Sequence, residues 1–175
     1  SISDTGSTDN TVEIIRSFCK RHNLPNQINI IEFQDFSQAR NEAIRLCLAS
    51  DLEFSHILFM DAEGQLRDPK PEMKESLGDE VYAARMTVPG VSYWREVMVS
   101  RNAKFKYMGL VHECLVYDSV RHCTDAFWIE DLCDGAPRIQ KQVRNLQLLT
   151  KAIEADPGSH RTMYYLGKGY LEMEI

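Results

Sequence analysis

The sequence predicts an α/β domain with a mainly parallel sheet covered by helices and a helical hairpin after it. Short apolar, β-branched runs at 28–33 and 55–60 are strand-sized, and helix-spaced apolar residues separate them. Strand end, helix, strand, helix and strand therefore alternate over the first 60 residues, the order that gives parallel strands joined by helices. Near the C-terminus, two helical patterns meet at Asp156-Pro157-Gly158, which predicts the hairpin.

Each element follows from local pattern. Ser1-Ile2-Ser3 reads as the tail of a strand running into the loop Asp4 to Asp9. Asn10 and Glu13 have capping-box spacing, and Val12, Ile15, Phe18 and Cys19 share a face, predicting a helix over 11–22. Asn23-Leu24-Pro25-Asn26 ends it. After the strand Ile28 to Phe33, Asp35 can cap a helix with the apolar face Phe36, Ala39, Ala43, Leu46 and Cys47. Ser55 to Met60 is the next strand and stops abruptly at Asp61. Uninterrupted apolar runs of this kind belong to strands buried on both faces. Val81 to Met86 and Glu96 to Ser100 read as further strands, Gly109 to Val116 is mixed, and Phe127-Trp128-Ile129 reads as an edge strand. The organisation changes near residue 136. Ile139, Val143, Leu146, Leu149 and Ile153 make a helical stripe, and Ser159 can cap a last helix carrying Met163, Leu166, Gly167 and Tyr170. The expected domains are thus 1–136 and 137–175, and the chain reads as a piece of a longer protein cut at both ends.

Composition narrows the classes. The chain has 175 residues, 43% hydrophobic and 26% charged, enough for one domain with a real core and ordinary for a globular protein. A net charge of −6 argues against a broad nucleic-acid footprint, which needs a basic face, but not against a modified nucleobase as a small acceptor. No apolar run approaches the roughly 20 residues of a membrane helix. The five cysteines form no Cys-x-x-Cys pair and leave one over, which points to reduced thiols in a cytosolic setting.

Two loops carry chemistry. Asp4-Thr5-Gly6-Ser7 is also the tetrapeptide of aspartic proteases, but that reaction needs two carboxylates sharing a proton. No second such tetrapeptide occurs, and a helix follows at once. A strand end carrying Asp, Gly and Ser ahead of a helix suits nucleotide binding instead. Ligands of parallel sheets lie beyond the carboxyl ends of the strands. Gly6 permits the tight turn, and the Asp4 carboxylate can accept hydrogen bonds from a base or ribose. Ser7, Thr8 and Asp9 read as turn and cap residues. Asp61 and Glu63, beyond the third strand, can hold Mg²⁺ or Mn²⁺ against a diphosphate, since hard cations choose such oxygen ligands.

Taken in order, Asp4-Thr5-Gly6-Ser7-Thr8-Asp9-Asn10-Thr11, Ala39-Arg40-Asn41-Glu42-Ala43 and Met60-Asp61-Ala62-Glu63 resemble the successive motifs of family 2 glycosyltransferases of the GT-A fold. Gly109-Leu110-Val111-His112-Glu113 is similar to a Gly-x-Val-His-Glu segment of a bacterial and viral branch that includes lipopolysaccharide-core glucosyltransferase-like enzymes. Met163-x-x-Leu166-Gly167-x-x-Tyr170 resembles the first helix of a tetratricopeptide repeat, with Met in the Trp place. The resemblance implies an inverting transfer from a nucleotide sugar, UDP-linked, to an acceptor hydroxyl. Asp4, Arg40 and Asp61 would bind the nucleotide sugar. Asp61, Glu63 and His112 would hold a divalent cation, Mn²⁺ or Mg²⁺. Glu113 would be the general base, with Glu130 or Asp131 as competing candidates. The acceptor stays open among a glycan, a lipid-linked glycan, a protein and a modified nucleobase. The extension would orient the acceptor or mediate self-association, and the setting would be cytoplasmic, bacterial or virus-encoded.

Two departures stand out. The family has a complete first strand before the Asp-Thr-Gly-Ser loop, where this chain supplies Ser1-Ile2-Ser3, and Glu63 stands where a second Asp is usual. They keep open a rival from another class, a catalytically silent GT-A remnant serving as a binding or assembly module. A nucleotidyltransferase would share the metal logic, but the Gly-rich basic phosphate loop it needs near the first strand is missing from this sequence.

Overall fold

A computed structural model describes residues 1–78, 80–133 and 138–173. The expected junction at 136/137 and the last two residues of the chain lie outside the described residues. The chain divides into two compact units. The first comprises Ser1–Glu53, Tyr107–Cys114 and Arg138–Ile175, and the second Phe54–Lys106 and Leu115–Pro137.

The first unit opens with β1 (Ile2–Asp4), α1 (Thr11–Arg21), β2 (Ile28–Ile30) and α2 (Phe36–Leu48). β1 and β2 pair in parallel, Ile2 with Ile28 and Asp4 with Ile30. The capping box expected at Asn10 does not form. Asn10 has φ −81° and ψ 13°, not the extended backbone of a cap residue, and makes no side-chain cap bond. Asp9 takes over: its Oδ1 accepts from the Thr11 N–H at 3.0 Å and from Thr11 Oγ1 at 2.5 Å. α2 starts as predicted, with Asp35 extended and its Oδ1 accepting from the Gln38 N–H at 2.8 Å.

The same unit ends in α3 (Arg138–Ala155) and α4 (His160–Glu172), the expected hairpin. Ser159 Oγ accepts from the Thr162 N–H at 3.3 Å and opens α4. Gly169 allows the two helices to approach, because a Cβ there would lie 2.8 Å from Leu146 Cδ2. On α3, Leu149 is buried and the Arg144 guanidinium packs over the rings of Phe33 and Phe36, at 5.7 and 4.9 Å.

The remaining strands are β3 (His56–Leu58), β4 (Gly64–Arg67), β5 (Val81–Val88), β6 (Val91–Ser100), β7 (Phe105–Met108), β8 (Cys114–Tyr117) and β9 (Arg121–Asp131). Five of them make one sheet in the order β3-β6-β5-β9-β4, while β7 and β8 pair with each other. The mainly parallel sheet expected from sequence is corrected here. β1/β2 and β5/β9 are parallel, whereas β3/β6, β5/β6 and β4/β9 are antiparallel. The cause is local: only Pro89 and Gly90, the latter at φ +80°, join β5 to β6, and so tight a turn returns the chain antiparallel.

The edge position expected for Phe127-Trp128-Ile129 is corrected too. β9 is interior because β4, whose four residues carry no strong alternation, pairs along it from Gly64–Asp131 to Arg67–Trp128. One face of this sheet holds the core: Tyr82, Ala84, Met86, Val97, Met98, Phe127 and Ile129, with Leu58, Met73 and Leu77 against it. Burying one side chain such as Ile129 contributes about 1.5–3 kcal/mol. All five cysteines are free thiols, and no described helix is long and apolar enough to cross a membrane.

Candidate functional site

In the first unit, β1 delivers Asp4 to its carboxyl end, 8% exposed. Its Oδ2 accepts from the Gly6 and Ser7 N–H groups at 3.0 and 2.9 Å, and its Oδ1 accepts from Ser7 Oγ. Gly6 supplies the φ of +105° that the turn requires. These bonds, the Ser7 hydroxyl first and its N–H next, hold the Asp4 carboxyl below its ordinary pKa. The carboxylate thus organises its own loop. Each carboxylate oxygen has two acceptor sites, so the loop bonds leave capacity for one further donor on Oδ1.

α2 presents Arg40 and Asn41 to the segment 107–113. Arg40 Nε meets Glu113 Oε1 at 2.5 Å, and its guanidinium lies over the Tyr107 ring at 5.1 Å. The Asn41 amide brackets the Tyr107 backbone, donating to its carbonyl at 2.9 Å and accepting from its N–H at 2.8 Å. The Phe36 N–H adds a bond to the Leu110 carbonyl at 3.2 Å. Two residues of the segment, Gly109 at φ +105° and His112 at φ 53°, are left-handed, so the chain turns sharply before Glu113.

α4 secures the same turn. The His112 ring stacks on Tyr165, with centroids 4.2 Å apart and planes 19° apart. Arg161 Nη2 donates to the His112 carbonyl at 2.7 Å while its guanidinium covers Tyr165 at 5.1 Å. His112 lines a groove of the first unit together with Gln142, Asn145, Tyr165, Lys168 and Glu172. Burial, then the Lys168 charge, lowers the His112 pKa, against the opposing pull of Glu113 and Glu172. The ring is held neutral, the form that can accept a hydrogen bond or ligate a metal.

In the second unit, Asp61 and Glu63 follow β3 on a loop fixed at backbone level. The Gly64 N–H donates to the Asp61 carbonyl at 2.9 Å and the Leu132 N–H to the Glu63 carbonyl at 3.1 Å. Arg95 Nη1 stands 3.5 Å from Asp61 Oδ2. The competing base candidates are engaged as well. Arg67 Nε and Nη2 approach Glu130 Oε2 at 2.7 and 2.6 Å, and Asp131 Oδ1 accepts from the Cys133 N–H at 2.9 Å.

Among the described residues, no three His, Cys, Asp or Glu side chains gather as a metal cluster. Asp61 and Glu63 instead offer two carboxylates from one loop. That donor set fits Mg²⁺-type binding, in which one or two carboxylates share the ion with substrate phosphates and water.

The structure therefore brings Arg40 and Glu113 together and seats His112 on α4. Asn41, Tyr107, Arg161 and Tyr165 are the residues that sequence reading missed. Asn41 lay inside a quoted motif, but a side chain bonding backbone 66 residues away leaves no periodic trace.

A strand–helix–strand–helix opening, an acidic loop after the third strand and a C-terminal helical pair define a GT-A domain followed by a helical hairpin. The chain belongs to glycosyl transferase family 2: the sequence model described as Glycosyl transferase family 2 matches residues 2–110. It is a glycosyltransferase domain, and membership implies a nucleotide-sugar donor and an acceptor. The matched stretch includes Asp4, Arg40, Asp61 and Glu63 and stops short of His112 and Glu113. A search among curated proteins found no match for the chain.

Proposed function

We propose that this domain transfers a hexose from a UDP-linked donor to an acceptor hydroxyl with inversion, assisted by Mn²⁺ or Mg²⁺. The observation that carries the reading is the Asp61–Glu63 loop, two carboxylates beyond a strand end with their backbone pinned by β4 and β9. Asp4 and Arg40 contact the nucleotide, and Asp61 and Glu63 face the diphosphate. His112 serves the diphosphate or its cation. The cation, when bound, neutralises charge that develops on the departing diphosphate.

Glu113 is the base. Its carboxylate takes the proton of the acceptor hydroxyl as that oxygen bonds to the anomeric carbon, and the bond from that carbon to the diphosphate oxygen breaks, releasing UDP. Arg40 beside it holds the carboxylate in position. Residues 1–136 form the transferase domain. Residues 137–175 form a tetratricopeptide-like extension of the Val-His-Glu branch that orients the acceptor or mediates self-association. Five free thiols suit a reducing, cytoplasmic compartment.

A second reading, a silent GT-A module that binds without catalysis, draws support from the arginine partners of Glu113 and Asp61. A panel of UDP- and GDP-sugars with Mn²⁺, read by thermal shift and donor hydrolysis with Asp61→Ala as control, separates the two. Turnover that needs Asp61 supports the enzyme. Nucleotide binding without turnover favours the silent module, and no stabilisation by any nucleotide overturns both.

A further inference from the structure

We infer that the exposed end of one face of the five-stranded sheet is a saccharide-binding platform for the acceptor, built on Trp94 and Trp128 with Arg67, Arg85 and Glu130; the inference rests on the proposed transfer reaction. The strand register puts these residues together. Arg85 on β5 is paired with Trp94 on β6 and with Trp128 on β9, and Trp128 is paired with Arg67 on β4. Paired residues on neighbouring strands share a face, so Trp94, Arg85, Trp128 and Arg67 form one row across four strands. The next row on that face is polar throughout: Ser92, Thr87, Glu130 and Gln65. The adjoining residues Met86 and Ile129 point the other way, into the core.

Each tryptophan is 37% exposed, and these are the two tryptophans of the chain. Large rings left open in one row mark a binding surface. Its charges indicate the class of ligand. Arg67 is paired with Glu130, and Arg85 stands 3.8 Å from Asp125 and 5.2 Å over the Trp94 ring. Cations and anions balance, so the row has no basic excess to select a phosphate or a nucleic acid. Guanidinium and carboxylate groups offer the paired donors and acceptors that vicinal hydroxyls need. The electron-rich face of an indole receives the C–H side of a pyranose.

The two rings lie two strand spacings apart, about 10 Å. That separation suits an oligosaccharide crossing several strands rather than a single sugar. The platform reaches β4, the strand that follows the donor loop. β4 begins at Gly64, directly after Asp61 and Glu63, and Gln65 is paired with Glu130. Asp61 itself approaches Arg95, which faces the other side of the sheet from its neighbour Trp94, so the platform would hold the glycan away from its reacting end.

Because both tryptophans sit in the row, intrinsic fluorescence reads it directly. The full chain is titrated with cellotetraose, maltotetraose, chitotetraose and a heparin tetrasaccharide, and profiled on an array of neutral and anionic glycans. Trp94→Ala and Trp128→Ala are exposed substitutions that leave the core intact, and UDP–Mn²⁺ thermal shift is recorded for every variant. The expected result is binding of at least one neutral oligosaccharide, weakened about tenfold by Trp128→Ala, with the UDP shift unchanged. Preference for anionic glycans overturns the proposal, as does a glycan affinity, read by calorimetry because both fluorophores are gone, that is equal in the double variant. No glycan binding overturns it too, and a dimer that dissolves in the double variant then names a second copy of the chain as the occupant. Glycan binding without any nucleotide shift would leave the platform standing and remove the transfer reaction; a nucleotide shift without glycan binding does the reverse.

Discussion

Arg40 Nε lies 2.5 Å from Glu113 Oε1, and both side chains are largely shielded, at 20% and 10% exposure. The arginine expected to touch the nucleotide and the carboxylate expected to act as base are therefore one unit. Breaking a shielded ion pair from one side strands the other charge, which costs about 3–5 kcal/mol. Arg40→Met and Glu113→Gln should each lower stability in urea titration, and the double variant should lose clearly less than the sum. In transfer assays Glu113→Gln should cost roughly 10²-fold or more in kcat, the scale of a lost general base. Glu130→Gln should leave kcat within a few-fold.

The Asp4 loop makes a prediction about acid. Its carboxyl titrates below its ordinary value of 3.8, chiefly through the Ser7 hydroxyl and N–H. A lowered folded pKa gives stability that is present above the ordinary value and lost as pH falls through the folded one. Asp4→Asn should flatten the pH dependence of unfolding below that value, measured by denaturant titrations from pH 5 downward. Asp4→Ala, which also strands two N–H groups, should cost about 1–3 kcal/mol at neutral pH.

His112 titrates in the opposite sense to an ion-paired histidine. Burial and Lys168 lower its pKa below 6.5, so as pH falls the unfolded chain takes the proton first. Stability that is full above 6.5 should decline as pH drops below it toward the folded pKa. His112→Asn keeps a side chain that tolerates the left-handed backbone and removes the titration. Thermal melts of the two proteins between pH 7.5 and 5 should then differ in slope, and equal slopes would place the effect elsewhere.

Two glycines of α4 should answer alanine differently. Nothing lies within 4 Å of a Cβ built on Gly167, so Gly167→Ala should stabilise by about 0.5–1 kcal/mol through helix propensity. At Gly169 the methyl would meet Leu146 Cδ2 at 2.8 Å, so Gly169→Ala should gain little or lose. Chemical denaturation of the pair checks whether α3 and α4 pack as closely as described.

Much of the fold was legible because it is local. α1, α2, α3 and α4 follow apolar periodicity and breakers, and Asp35 and Ser159 cap where their side chains could be expected to. The pairing of strands was not legible, since it depends on partners distant in sequence. β4 is four residues long without a clear pattern, yet it changes β9 from an edge strand to an interior one. The site divides in the same way. Asp4, Asp61 and Glu63 announce themselves by standing after apolar runs. The partners of Glu113 and His112 come from 73 and 49 residues away and leave no mark in their neighbourhood.

The turn at Gly109–Glu113 is gripped from one direction by α2 and from the other by α4. During synthesis, Arg40 and Asn41 are available long before the turn itself, whereas Arg161 and Tyr165 emerge well after it. A nascent or clipped chain that lacks α4 can thus assemble the Arg40–Glu113 pair but has no seat for the His112 ring. Maturation of that turn is deferred until α4 has been made, which ties it to a segment synthesised well after β1, β2 and α2.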